Sequence, residues 1–137
     1  MKGSYTLLME LANENTFQIG KLGYITFPAA WYVYVGSAMN GIEQRVKRHL
    51  SSNKRHHWHI DYFLDKATIT EIFFKESTIK EECFIAKQFA VIFECIPSFG
   101  SSDCRCESHL FFGKKGKLLD TCTRAYMNRF DKKTQIK

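Results

Sequence analysis

The sequence predicts an α+β domain: a small antiparallel or mixed sheet flanked by helices, with a loop and hairpin extension at its C-terminal end. Three observations predict it. Apolar runs of strand character occupy Ser4–Leu11, Trp31–Gly36 and Thr68–Phe74. Capping-box patterns, Asn40 with Glu43 and Thr78 with Glu81, each precede an apolar stripe of helical spacing. A length of 137 residues, 45% hydrophobic and 25% charged, suits one domain spanning 1–137. The same mix excludes a wholly disordered chain, and only 2 prolines and 8 glycines exclude a fibrous one.

In chain order, Tyr5, Leu7, Met9 and Leu11 of the first strand share one face. Asn13–Asn15 is a turn, and Phe17–Leu22 a short strand. Trp31–Gly36 (WYVYVG) is the strongest strand and pairs antiparallel with the first. Asn40 caps a helix whose Ile42, Val46 and Leu50 form the buried stripe. Lys54–Asp65 (KRHHWHIDYFLD) has no decisive periodicity. Thr68–Phe74 is a strand, and a second helix runs from Ser77–Thr78 to about Glu94, stopped by Pro97. Residues 96–109 form a Ser/Gly/Cys loop, and Leu110–Phe112, GKKG and Lys117–Leu119 a basic hairpin. Residues 131–137 are expected to fray.

Charge is unevenly placed. Residues 1–104 carry 11 basic and 11 acidic side chains, and residues 105–137 carry 9 and 3, so the net +6 lies in the last quarter. A basic end on a neutral body suggests a polyanion partner such as nucleic acid. The five cysteines, without a secretory-type start, predict a reduced, cytoplasmic protein. Leu22–Ile42 lacks charge over 21 positions but holds Pro28, three glycines and Asn40, which fits a buried strand and turn better than a membrane span.

Several side chains ask for a reason. On the second helix, Ile85, Ala86, Phe89, Ala90, Ile92 and Phe93 make an apolar arc with Glu82 at its centre. Either Glu82 emerges past the core and complements the helix dipole, or it points into a cleft and holds a metal ion. On the first helix, Arg45 and His49 share a face, and no acid lies between Glu43 and Asp61. Arg48, Lys54 and Arg55 in that window make either a solvated basic face or a phosphate-binding one. Tyr34 and Gly36 share a strand face near Tyr5, and Gly36 permits a close backbone approach, by a ligand among other things. Cys104, Cys106 and His109 are soft donors with Asp103 or Cys122 as a fourth; buried thiols, a zinc site and a functional disulfide remain open readings.

Gly3-Ser4-Tyr5, then Tyr34-Val35-Gly36, then Arg45 and His49, then Glu82 on a later helix form an ordered set that resembles the GIY-YIG nuclease superfamily. YVYVGSA, HWHIDYFL and GSSDCRCESHLFF resemble its Uri-type endonuclease branch. The likeness covers a core of roughly residues 3–95, with residues 96–130 as the Cys-containing loop and basic extension. It implies a GIY-YIG-like fold and a divalent-metal-dependent endonuclease that hydrolyses DNA phosphodiesters, with a role in repair and a repair-protein partner. Glu82 would hold Mg²⁺ or Mn²⁺, and Arg45 would stabilise charge on the phosphate. Tyr5 and Tyr34 would surround the attacking water, one of them accepting its proton if the metal or Arg45 depresses its pKa. His49 would contact phosphate or relay a proton. Gly36, Arg48, Lys54 and Arg55 would face nucleic acid, and His57, His59 and Asp61 of the branch signature are further candidates. Ser4 and Val35 stand where the superfamily has isoleucines, and no asparagine matches the one that often follows the glutamate helix; Ser101, Ser102 and Asp103 occupy that region. The alternative function is a non-catalytic nucleic-acid-binding module on the same fold.

Overall fold

The computed structural model describes residues 1–52, 54–102, 104–126 and 128–130, the side chains of 128 and 130 excepted. Strand β1 (Gly3–Leu11) lies between β4 (Ala30–Ala38) and β5 (Thr68–Glu76), antiparallel to both. With β6 (Glu94–Cys95), β7 (Leu110–Gly113) and β8 (Asn128–Phe130) they form a sheet of order β6-β7-β4-β1-β5-β8 whose described pairings are all antiparallel. A separate hairpin joins β2 (Asn15–Gln18) to β3 (Tyr24–Phe27).

Strand alternation sorts side chains to two cores. Tyr5, Leu7, Met9 and Leu11 enter one with Ile42 and Val46 of α1 (Ile42–Leu50) and Ile60 and Phe63 of α2 (His59–Phe63). Leu8, Val33 and Val35 enter the other with Ile85, Ala86 and Phe89 of α3 (Glu82–Ala90) and Leu118 and Cys122 of α4 (Lys115–Ala125). The sheet is thus sandwiched between two helical layers, the α+β architecture expected. Among the described residues no helix is long and apolar enough to cross a membrane.

Four local expectations are corrected. Asn40 does not cap α1: Gly41 precedes the helix, no side chain caps it, and Glu43 pairs with the Met1 amino group at 3.2 Å. Ser77 and Thr78 do not open α3: Ser77 Oγ accepts from Ile79 N–H at 3.2 Å in a turn, and Glu81 pairs with Lys75 at 2.9 Å. The second helix ends at Ala90, so Ile92, which is exposed, and Phe93 lie beyond it. Lys117–Leu119 is helical within α4, not the second arm of a hairpin. The expected fraying of 131–137 falls outside the described residues.

Candidate functional site

A cleft of about 580 Å³ opens where α1, the segment before α2, the first turn of α3 and the 96–109 loop meet; its lining includes Tyr34, Ser37, Arg45, Lys80, Glu82 and Gly100. Tyr34 from β4, Arg45 from α1 and Glu82 from α3 thus share one concavity, although the elements carrying them are far apart in sequence. Gly100 has φ +70°, and a Cβ there would stand 3.0 Å from the Tyr34 ring, so glycine lets the loop close against the tyrosine. Its N–H donates to His59 Nδ1 at 2.8 Å, which leaves the His59 ring proton on Nε2.

Tyr5 does not line the cleft. It is fully buried, and its Oη shares a 2.7 Å hydrogen bond with His49 Nε2. Its ring occupies the space over Gly36, where a Cβ would be 2.5 Å from Cζ. The close approach expected at Gly36 is therefore made by Tyr5, not by nucleic acid. Burial pushes the Tyr5 and Tyr34 phenols well above their ordinary value, and the opposing pull of Arg45 is smaller. The protein alone therefore does not depress either phenol as a general base requires. Burial also takes His49 down to about 3, so its imidazole is neutral in the folded protein.

Arg45 is fixed from two sides: Nη1 donates to Ser37 O at 3.1 Å, and Cζ lies 4.3 Å from the centre of the Trp58 ring. Arg48 stacks on the same ring at 4.4 Å. Its guanidinium forks onto Asp61, with Nη1–Oδ1 at 2.8 Å and Nη2–Oδ2 at 3.0 Å. Asp61 also accepts from His57 N–H and Trp58 N–H at 2.8 and 2.9 Å. Burial pushes its carboxyl up, but these hydrogen bonds outweigh it and hold the group below the ordinary carboxylate range. Arg48 and Asp61 therefore fasten the loop before α2, which corrects the expectation that Arg48 faces phosphate. Lys54 is corrected likewise: its ammonium donates to His49 O and Ser51 O, closing the C-terminal end of α1. Arg55 is exposed, and His57 is an exposed member of the cleft lining.

Glu82 is a quarter exposed, and its Oε2 lies 3.8 Å from His109 Nδ1. His109 is buried, and its Nδ1 lies 3.0 Å from Val35 O. Around its other nitrogen gather Cys104 Sγ at 3.3 Å and Cys83 Sγ at 3.9 Å. Cys83, Cys104, Cys106 and His109 present four donor atoms all within 4.8 Å of one another, a group able to hold a metal ion. Burial pushes the Cys83 thiol up to about 12. Cys122 is not the fourth member, because it is buried in the α3–α4 core, and Asp103 lies outside the described residues.

The family model for "Domain of unknown function DUF123" matches residues 4–132. The chain belongs to the DUF123 family. No curated protein and no solved structure matches it.

In this DUF123 chain the donor set at Glu82 fits a hydrated hard cation. Mg²⁺ takes one or two carboxylates and keeps several waters. Glu82 supplies one partly exposed carboxylate on an open cleft, while the Asp61 carboxylate is held by Arg48. The thiol cluster, with soft donors, is not a magnesium site.

Sequence reasoning missed Trp58, which orients Arg45, and Cys83, which completes the thiol cluster. Trp58 carried a signal, as an aromatic amid cationic residues in KRHHWHIDYFLD. Cys83 carried none beyond its adjacency to Glu82, since its partners lie more than twenty residues away.

Proposed function

We propose that the chain is a divalent-metal-dependent endonuclease that hydrolyses phosphodiester bonds in DNA, as its resemblance to the Uri-type branch of the GIY-YIG superfamily implies. The observation that carries this reading is the convergence of Tyr34, Arg45 and Glu82 on one cleft. Bound at Glu82, Mg²⁺ or Mn²⁺ supplies Lewis acidity that lowers the pKa of water and withdraws charge from the phosphate.

The remaining roles belong to the chain. Arg45 grips non-bridging oxygens and meets the negative charge that grows on them; the Trp58 stack and the Ser37 carbonyl hold its plane ready beforehand. Tyr34 keeps its proton at neutral pH and orients the attacking water or the phosphate by hydrogen bonding. His57, exposed on the cleft, adds a hydrogen-bonding ring to its wall. Tyr5 and His49 sit beneath as a buried pair that positions Tyr34, whose ring centre is 6.3 Å from that of His49. Cytoplasmic DNA repair, with a repair protein as partner, is the setting proposed.

One observation favours a second reading, a non-catalytic nucleic-acid-binding module: after α3 the sequence has Ser101, Ser102 and Asp103 where the superfamily often has asparagine, and of the described two only Ser102 lines the cleft. Incubation of supercoiled plasmid and branched DNA with Mg²⁺ or Mn²⁺ separates the two. The nuclease reading expects nicking that a chelator abolishes. The module reading expects salt-sensitive binding without nicking by any divalent ion.

A further inference from the structure

We propose that Cys83, Cys104, Cys106 and His109 bind one Zn²⁺ that staples the first turn of α3 to the 96–109 loop and the start of β7. This metal is distinct from the hard cation proposed at Glu82, and its binding does not depend on the nuclease reading.

Four-coordinate zinc has Zn–S near 2.3 Å and Zn–N near 2.0–2.1 Å, so its tetrahedral donors stand roughly 3.5–3.8 Å apart. Here the Nε2 of His109 stands 3.3 Å from Cys104 Sγ and 3.9 Å from Cys83 Sγ, and all four donors lie within 4.8 Å. Closing on an ion asks for shifts of about an ångström at most.

The histidine is already set as a ligand. Val35 O can only accept, so the 3.0 Å contact makes Nδ1 the ring's donor there and turns Nε2 toward the sulfurs. Its Nε2 lone pair is then left among the sulfurs. A ring N–H held by a backbone carbonyl, with the other nitrogen free for metal, is the outer-shell arrangement that fixes a zinc-bound imidazole.

The competing readings account for less. One disulfide would use two of the three sulfurs and leave the third, with Nε2, unmatched. Ordinary thiol packing does not explain three thiols around a buried imidazole lone pair. Thiolate and imidazole donors in a closed set of four select zinc over magnesium or calcium. The Cys104-x-Cys106 spacing is tighter than the usual two-to-four-residue gap, and the set is completed from a separate helix. On binding, each thiol loses its proton to solvent and three S–Zn bonds and one N–Zn bond form, leaving a net charge of −1 on the centre.

The consequence reaches the cleft. Cys83 directly follows Glu82, His109 N–H donates to Phe99 O at 2.8 Å, and Gly100 and Cys104 belong to the cleft lining. The ion therefore fixes the Glu82 backbone against the strand of Tyr34 and against the loop wall.

The test is metal analysis of the full chain, purified under reducing conditions without added metal and again after incubation with zinc. One equivalent of zinc is expected. Cys83→Ser is expected to retain less than a fifth of that, while Cys95→Ser and Cys122→Ser keep it. Because a ligand variant can lose its fold, the wild-type chain is also loaded with Co²⁺. Intense tetrahedral d–d bands with thiolate-to-cobalt charge transfer support the site. Less than half an equivalent after zinc incubation, an equivalent of iron in place of zinc, a weak octahedral cobalt spectrum, or Cys83→Ser keeping a full equivalent would each overturn it. None of these readouts uses DNA cleavage, so failure of the nuclease reading leaves them intact.

Discussion

The Tyr5 ring lies over the Cα of Gly36, its register partner across the β1–β4 pair. The second tripeptide of the resemblance thus ends in glycine for a packing reason internal to this chain. Gly36→Ala drives a methyl to within 2.5 Å of a buried ring already held by His49. A loss of about 1–3 kcal/mol in urea unfolding is expected. The double variant with Tyr5→Ala should lose less than the sum of the two singles, because the clash is gone.

His49 makes stability acid-sensitive. Its folded-state pKa falls from 6.5 to about 3, so between those values the unfolded chain binds a proton that the folded chain does not. Stability from this site is complete above about pH 6.5 and declines as the pH falls toward 3. His49→Gln, which can still hydrogen bond to Tyr5, should flatten the pH dependence of unfolding between pH 6.5 and 4. An unchanged slope would contradict a buried neutral imidazole.

Asp61 is the fastening of the loop before α2. Asp61→Ala leaves two backbone N–H groups without their acceptor and the Arg48 guanidinium with only the Arg55 carbonyl, which its Nη2 reaches at 2.9 Å. The expected cost is about 2–4 kcal/mol, below the largest values for buried pairs because Arg48 is partly exposed. Since the Asp61 pKa is depressed, its contribution is present above the unfolded carboxyl value of 3.8 and is lost as pH falls further. A cycle with Arg48→Met, read by unfolding, should show strong coupling.

Arg45 and Lys54 are both cations of the α1 region, and they should separate cleanly. Arg45→Ala is expected to reduce the slope of log affinity against log salt by about one phosphate contact. Lys54→Ala should leave that slope unchanged and lower the melting temperature, because its ammonium closes a helix end. Equal slopes for Arg45→Ala and wild type would remove Arg45 from the phosphate.

The central strands were legible because β1, β4 and β5 alternate or are densely β-branched and aromatic, and α1 because Ile42 and Val46 repeat at helical spacing. Helix α4 was masked by GKKG, which imitates a turn; its stripe of Leu118, Thr121 and Cys122 shows only in a longer window. Ile92 and Phe93, which join the apolar arc around Glu82 on a helical wheel, lie past the helix end, so the buried face of α3 is Ile85, Ala86 and Phe89. The grouping of Tyr34 and Arg45 with Glu82 came from the resemblance, since no local pattern encodes how β4, α1 and α3 converge. Cys83 was illegible for the same reason: a tertiary cluster has no period.

The most direct test of the central claim is plasmid nicking by the wild-type chain and by Glu82→Gln, side by side in Mg²⁺ and Mn²⁺. The account predicts metal-dependent nicking by wild type and a loss of about 10²-fold or more in Glu82→Gln, with circular dichroism unchanged. Nicking by Glu82→Gln at the wild-type rate, or no nicking by the wild-type chain with any divalent ion, would contradict it.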